Sequence, residues 1–449
     1  MPRVHLTTLG CARNDVDSDE LSARLVSAGW EVSTGGDDSQ AVDVVVVNTC
    51  GFIASAKKDS IDTVLAAADH GAPVVVAGCL AERYGRELAD ELPEAAAVIG
   101  FDQYAGLPGI LEQVVAGESI AAHEPRDRRH LIPLSPIERT VGETPGTAGL
   151  QRSVSTPVIP VKLASGCDRR CSFCAIPAFR GAFVSRRPTD ILAEIAQVVS
   201  DGAREVFLVS ENSTSYGKDL GDLRLLESLL PAIGAIDGLV RARVSYLQPA
   251  EIRPGLIEVI GNTPGIAPYF DLSFQHASGR ILRRMRRFGD GDAFGDLIDR
   301  IRAVAPEAGI RSNVIVGFPG ESEEDVAQLA EFLQRAALDV VGVFGYSDEE
   351  GTEAVDLDGH VPEHVIAERV EWISSLCEDL MVDRAHQRVG EITDVIIEGV
   401  DDSGVEGRAT HQGPEDAATV IPGVDASIGD VVRVEVIGVD GVDLVGRPV

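Results

Sequence analysis

Short apolar runs alternate with longer amphipathic stretches from the start of the chain. Val4–Gly10 (VHLTTLG), Val42–Cys50 (VDVVVVNTC) and Pro73–Cys79 (PVVVAGC) read as strands. Asp15–Ala28, Ser55–Asp69 and Ala81–Leu92 read as the helices that follow them. Strands that are apolar along their length are buried on both faces, which implies a parallel sheet covered by helices. An open α/β domain is therefore expected over residues 1–120.

The same alternation resumes further on. Residues 121–155 are dense in Pro, Gly, Thr and charge (EPRDRRH, SPIERTVGETPGTAG) and read as a linker. Over 156–385, strands are expected at Val158–Ala164, Glu205–Ser210, Arg241–Leu247, Tyr269–Phe274, Arg311–Phe318 and Val340–Ser347. Helical stretches such as Asp190–Asp201 and Glu323–Ala336 separate them. These β/α units predict a partial (β/α) barrel, with its site at the carboxyl ends of the strands. The tail, 386–449, changes to short Val- and Ile-rich segments broken by DDSG, IPGVD, SIGD and GVDG. That spacing predicts a small antiparallel β-barrel of the OB-like kind.

Chemistry enters with the cysteines. Cys167, Cys171 and Cys174 stand in SGCDRRCSFCAIP, just after the first strand of the expected barrel. This C-x3-C-x2-C set is one thiolate short of a closed site. On a 4Fe-4S cube, three cysteines leave one iron open to a small molecule. A structural zinc site pairs its ligands and closes with a fourth, and a disulfide needs an oxidising compartment. Inert buried thiols are the remaining alternative. Cys11, Cys50 and Cys79 each follow one of the three N-terminal strands. Strand ends in an open parallel sheet share one edge, so these three are expected to converge and hold a second cluster. Asn48, Thr49 and Gly78 are expected to let the backbone approach it closely. Cys377, alone in ISSLCEDL, reads as a packed thiol.

Charge narrows the partners. The chain carries 39 Lys plus Arg against 72 Asp plus Glu, a net of −33. A nucleic-acid binder is expected to be basic. This chain should instead attract basic partners, or owe its charge to solubility. Residues 388–449 hold 13 acidic residues against 4 Arg and no Lys, a net of −9, which disfavours contact of the tail with a phosphate backbone. No apolar run has the length of a membrane span and the N-terminus has no secretory pattern. A cytoplasmic location with no membrane partner is expected. The one dense basic run, Arg280, Arg283, Arg284, Arg286 and Arg287, reads as an RNA contact or a solvated helix face.

CSFCAIPAFRGAFVSRRP after a barrel strand, the three N-terminal cysteines and the small C-terminal barrel together resemble the radical S-adenosylmethionine methylthiotransferases, over essentially the whole chain. In that family the last domain is called TRAM. Gly10–Leu21 (GCARNDVDSDEL) is similar to the branch that acts on a ribosomal protein, where N-x-V-D-S-E is usual. The other branch modifies an adenosine in tRNA. The resemblance implies two 4Fe-4S clusters and S-adenosylmethionine as cofactors. Cys167, Cys171 and Cys174 would hold the cluster whose open iron takes the amino and carboxylate groups of S-adenosylmethionine. Its reductive cleavage gives a 5′-deoxyadenosyl radical. Cys11, Cys50 and Cys79 would hold the auxiliary cluster, which presents a methylated sulfur. A second S-adenosylmethionine supplies the methyl. The implied reaction is methylthiolation of the β-carbon of an aspartate in a basic small-subunit ribosomal protein, free or within the ribosome. It needs a one-electron reductant, no tRNA substrate and no side-chain acid or base. Glu211, Asn212, Thr214 and Tyr216 lie in SENSTSYG, where the family usually has Q-D-T. The first three, with Arg243, Ser245 and Gln275, are candidates for the cofactor. Gln275 and His276 are candidates for the substrate pocket, and Gly317, Pro319 and Gly320 for the adenine. The competing classes are a tRNA adenosine methylthiotransferase and an iron–sulfur electron carrier or scaffold. A carrier gains from fully ligated clusters, which two three-cysteine sets do not supply.

Overall fold

The computed structural model describes residues 1–35, 41–130, 154, 156–401 and 403–449. Five parallel strands form the first sheet: β1 (Arg3–Thr8), β2 (Glu31–Ser33), β3 (Val44–Thr49), β4 (Val74–Ala77) and β5 (Ala95–Val98), in the order β2-β1-β3-β4-β5. Every residue of β3 and β4 is buried, because helices cover both faces and β-branched valines fill the pleat. Leu21 and Leu25 of helix Ala12–Ser27 and Leu107 and Leu111 of helix Leu107–Val115 pack on one face. Val64 of helix Ala54–Ala68 and Leu80 and Leu88 of helix Gly78–Glu91 pack on the other. The edge strands escaped the sequence reading. EVS is too short, and AAAV too poor in β-formers, to stand out.

All six expected central strands form, at β6 (Val158–Lys162), β9 (Glu205–Val209), β10 (Arg241–Val244), β11 (Tyr269–Gln275), β12 (Gly309–Val316) and β13 (Val340–Gly345). Two short strands, β7 (Ala164–Ser165) and β8 (Val184–Ser185), pair antiparallel across the Cys167 loop. β6, β9 and β10 pair in parallel, as do β11, β12 and β13. Bridges Ala242–Ile266 and Leu247–Leu272 join the two triplets into an open barrel wall. Helix Glu323–Ala336 matches its expected range because Ser322 and Asp325 cap it reciprocally. A 25-residue helix, Glu363–Gln387, packs on β13 and buries Cys377 in the central core, as expected of a packed thiol.

The tail closes into a five-strand barrel of β14 (Ile392–Asp401), β15 (Gly404–Ala409), β16 (Thr419–Pro422), β17 (Val431–Asp440) and β18 (Asp443–Pro448). Its pairings are antiparallel except that of β16 with β18, which is parallel. The short β16 was not apparent from sequence, and it supplies that closure.

Buried ion pairs lock the parts together. Helix Ala12–Ser27 lies against β6, where Asp17 pairs with Lys162 and, at 3.0 Å, with Arg180. Glu205 of β9 holds Arg241 and Arg243 of β10, and these donate to the Arg408 and Thr410 carbonyls of the last barrel at 2.7 and 3.0 Å. The linker expectation is corrected over 121–130. His123 N–H donates to the Val98 carbonyl at 3.0 Å, and Arg128 is buried between Glu82 and Asp102 at 2.5 and 2.6 Å. The linker at 131–153 and 155 lies outside the described residues.

Candidate functional site

Cys167 follows β6 and β7, so its loop sits at the carboxyl end of the barrel wall. Cys167, Cys171 and Cys174 border an inner cavity of about 270 Å³ and an outer one of about 640 Å³. The Arg169 N–H points at Cys167 Sγ at 3.4 Å, and Arg287 Nη1 lies 3.7 Å from Cys171 Sγ. Burial, then Cys171, pushes the Cys174 thiol up to about 12; burial, then Cys174, also raises Cys167.

The second set converges although its members are far apart in sequence. Cys11 caps helix Ala12–Ser27, Cys79 lies in the first turn of helix Gly78–Glu91, and Cys50 follows β3. Gly10, at φ +103°, leaves space that a Cβ would close to 2.9 Å from Cys50 Cβ, while a Cβ on Gly51 would stand 2.9 Å from the Cys79 backbone. Arg13 Nε donates to Cys11 Sγ at 3.4 Å and Arg180 Nη2 to Cys79 Sγ at 3.2 Å. Burial opposes ionisation of Cys11, but Arg13 brings its thiol below the ordinary value. Burial, then Cys79, pushes Cys50 up to about 11, and at Cys79 burial outweighs Arg180 and raises the thiol.

Three thiols per loop set, with no fourth cysteine, fit a cube with one open iron better than a closed zinc site. Among the described residues no three such side chains are drawn to the spacing of a single ion. A cube holds its ligands further apart.

The two sets look into adjoining spaces. A cavity of about 320 Å³ is lined by Cys11, Cys50, Asp271, Arg311 and Glu415. It shares Arg13, Phe52, Ile53, Tyr246, Asn313 and Phe344 with the 270 Å³ cavity. Burial pushes the Asp271 carboxyl up to about 6, against the pull of Arg311.

Several expected residues meet here. Glu211, Asn212 and Gln275 line the 270 Å³ cavity. Both Glu211 carboxylate oxygens are buried without a hydrogen-bond partner; Oε1 lies 3.9 Å from Arg13 Nη1 and 3.7 Å from Arg180 Nε. Thr214 stands behind Asn212 and donates to Glu251 at 3.1 Å.

Others are corrected. Arg243 is spent on Glu205 and the Thr410 carbonyl, and Ser245 Oγ donates to the Leu208 carbonyl at 2.9 Å; neither lines these cavities. Tyr216 is buried, its hydroxyl on the Arg186 carbonyl at 2.8 Å. His276 is a packed core histidine: its Nδ1 accepts from the Ala277 and Ser278 N–H groups at 2.9 Å, and Nε2 lies 3.2 Å from Glu321. Gly317 packs on Ile366 and Gly320 on Arg284, and neither they nor Pro319 line the cavity. Asn48, Thr49 and Gly78 tie the two cysteine-bearing loops together. Asn48 Nδ2 donates to Ser18 Oγ at 2.8 Å, Thr49 Oγ1 to the Ala77 carbonyl at 2.5 Å, and a Cβ on Gly78 would strike Asn48 at 2.4 Å.

Arg280, Arg283 and Arg286 of the basic run are exposed, as on a solvated helix face, but most of the run is paired with carboxylates or buried. Arg280, Arg284 and Arg286 pair with Asp325, Asp358 and Glu353, and Arg287 is buried on Gln248 and the Ser273 carbonyl. The sequence reading missed Arg13, Tyr246, Gln248, Arg287, Asn313 and Phe344 as lining residues. The strand-end rule could have found Tyr246 and Gln248. Tyr246 and Gln275 carry φ of +55° and +72°, an uncommon backbone state that clusters at functional sites.

Comparison with known proteins agrees with this architecture. Residues 3–100 match an uncharacterized family, UPF0004, residues 161–333 the radical SAM superfamily, and residues 389–449 the TRAM domain. The chain is 57% identical to the ribosomal protein uS12 methylthiotransferase RimO of Saccharopolyspora erythraea, covering 100% of this chain and 95% of that one. It is 57% identical to the protein of that name from Nocardioides sp., covering 99% and 97%. The Streptomyces coelicolor protein of that name is 54% identical, covering 99% and 96%. In fold it resembles the radical S-adenosylmethionine methyltransferase TsrM of Kitasatospora setae. The form with cobalamin and a 4Fe-4S cluster bound has a TM-score of 0.52 at 15% identity, covering 90% of this chain and 82% of that one. Close identity along the full length and three matching domains establish that the chain belongs to the ribosomal protein uS12 methylthiotransferase family.

Proposed function

We propose that this chain, acting in the cytoplasm, inserts a methylthio group at the β-carbon of an aspartate in ribosomal protein uS12. It uses a one-electron reductant and does not act on tRNA. The observation that carries the reading is the shared wall between the Cys167 and Cys11 cavities, which allows one substrate atom to face both cysteine sets. Cys167, Cys171 and Cys174 hold one 4Fe-4S cluster, Cys11, Cys50 and Cys79 the other, and the 270 Å³ cavity receives S-adenosylmethionine. When bound, these groups supply hydrogen abstraction from an unactivated carbon and the sulfur and methyl delivered to it.

The chain's own residues bind, orient and exclude water. Glu211 offers two buried oxygens that accept no hydrogen bond, beside the Cys167 loop, a fitting acceptor for the cofactor ammonium. Asn212 and Gln275 line the same space, and Thr214 fixes Asn212 from behind. Arg287 ties the strand ends at Gln248 and Ser273 together. Phe173, Ile176, Ile315 and Phe344 form apolar wall that keeps water from a reactive carbon.

The test is anaerobic reconstitution with iron, sulfide, S-adenosylmethionine and reductant, followed by mass spectrometry of uS12 and of tRNA. A methylthio mass shift on the uS12 aspartate is the expected result. A shift on tRNA with none on uS12 overturns the substrate, and failure to cleave S-adenosylmethionine overturns the reaction.

A further inference from the structure

Given the proposed function, on which this inference rests, the two cavities must solve a charge problem posed by the aspartate substrate. The substrate carboxylate is bonded to the carbon that reacts, so it enters the walled space with it. A carboxylate without a partner in such surroundings is costly. A site for aspartate therefore needs a cation with free donors where the two cavities meet.

Most cations around these cavities are already committed. Arg311 pairs with Asp416 at 2.8 Å and Glu415 at 2.9 Å. Arg287 is held by Gln248 and Ser273. Arg169 pairs with Glu251 at 2.5 Å and Lys57 with Glu349 at 2.9 Å. Arg180 serves Asp17 at 3.0 Å and Cys79 at 3.2 Å.

Arg13 differs from all of these. It lines both cavities. Its Nε is taken by Cys11 Sγ, and its guanidinium lies over the Tyr246 ring, 5.0 Å from the centroid. That stacking fixes the plane of the fork. Its nearest carboxylate oxygen, on Glu211, is 3.9 Å from Nη1, beyond hydrogen-bond range. Among the described residues neither Nη group donates a hydrogen bond, and the side chain is only 13% exposed.

We propose that Arg13 is the substrate-carboxylate clamp. Its two Nη groups take the aspartate carboxylate in a bidentate pair, which holds the β-carbon at the wall between the cysteine sets. Arg13 is thereby a specificity residue, selecting an acidic side chain over a neutral planar base. Glu211 does not oppose this, because Arg180 stands 3.7 Å from it on its other side and the cofactor ammonium is its proposed partner.

The test is a double-mutant cycle in binding, measured on iron-loaded protein with uS12 as the probe. Arg13→Gln is crossed with Asp→Asn at the target position of uS12, and Arg13→Lys keeps the charge without the fork. Each single change is expected to weaken binding by about tenfold or more. Asp→Asn should cost nothing further on the Arg13→Gln background, and Arg13→Lys should fall between. Additive losses overturn the clamp, because a merely structural Arg13 would not sense the target side chain. Arg13 also touches Cys11; if Arg13→Gln cannot hold its iron, unchanged binding of Asp→Asn uS12 to the unaltered protein overturns the clamp alone. Unaltered protein that leaves uS12 unmodified overturns the proposed function, a separate result.

Discussion

The six cysteines have separable consequences. Cys50→Ala removes a ligand of the N-terminal set only, so S-adenosylmethionine cleavage should persist while the methylthio product disappears. Cys171→Ala removes a proposed ligand of the cluster on the Cys167 loop, where S-adenosylmethionine would bind, and should abolish both. 5′-Deoxyadenosine assays beside mass spectrometry of uS12 separate the two. Methylthio transfer by the Cys50 variant would sink the assignment of sets. Asp271 allows a pH prediction. Burial raises its carboxyl to about 6, above the unfolded value of roughly 3.9. The folded state therefore binds the proton more tightly. Its ionisation penalises folding at neutral pH, and the penalty fades as pH falls below both values. Asp271→Asn keeps an acceptor for the Tyr246 N–H and should stabilise the protein at pH 7.5 by on the order of 1–3 kcal/mol. Thermal melts at pH 7.5 and near pH 4 should show that gain and then its loss. Single residues also explain the motif GCARNDVDSDEL. Asn14, Asp17 and Ser18 are buried beneath the N-terminal cysteines, with Asn14 donating to the Leu9 and Thr49 carbonyls and Ser18 joined to Thr8 and Asn48. The motif marks the scaffold beneath the N-terminal cysteines; within it Gly10, Cys11 and Arg13 line the cavity, and Arg13 is the one that brings a charged side chain there.

At the scale of elements, the cysteines depend on sharp strand-to-helix turns. Gly78 has φ +90°, and an added Cβ would lie 2.4 Å from Asn48 Oδ1 and 2.6 Å from the Thr49 nitrogen. Gly78→Ala therefore combines backbone strain with a clash against β3 and should cost about 2 kcal/mol or more. Because Cys79 is the next residue, iron content should fall by roughly half while the Cys167 loop stays loaded. Iron analysis and denaturant titration measure both, and full iron content in this variant would count against Cys79 as a ligand. Elements were also what the sequence revealed best. Runs such as VVVVNT and VVVA, and the Ser322–Asp325 cap, are local signals that tertiary packing had no cause to override. The cysteine positions followed from them through the strand-end rule. The cavity walls did not. Arg13, Asn313 and Phe344 come from a helix and two strands in different domains, and their meeting depends on how helix Ala12–Ser27 docks on β6. Arg243 misled because its strand-end position looked like a site, whereas its length lets it reach the last barrel.

For the whole molecule the question is what the charge does. A net of −33 is far more than folding needs, since self-repulsion opposes compactness. Many arginines are paired with carboxylates inside the fold, as Arg128, Arg180, Arg241 and Arg369 are, so excess acid is left at the surface. The last barrel carries much of it, with Glu406 and Asp425 exposed and Glu415 reaching the rim of the Cys11 cavity. A basic ribosomal protein approaching this surface should be steered towards the cavity mouth. Steering acts on the association rate and is screened beyond roughly 8 Å at physiological salt. The on-rate for uS12 should therefore fall by about tenfold or more between about 50 and 500 mM salt, with turnover at saturation little changed. Glu406→Gln combined with Asp425→Asn should lower the rate at low salt and flatten its salt dependence. Stopped-flow association across that range measures both effects. A salt-independent on-rate would remove the electrostatic role and leave the acidic surface to solubility alone.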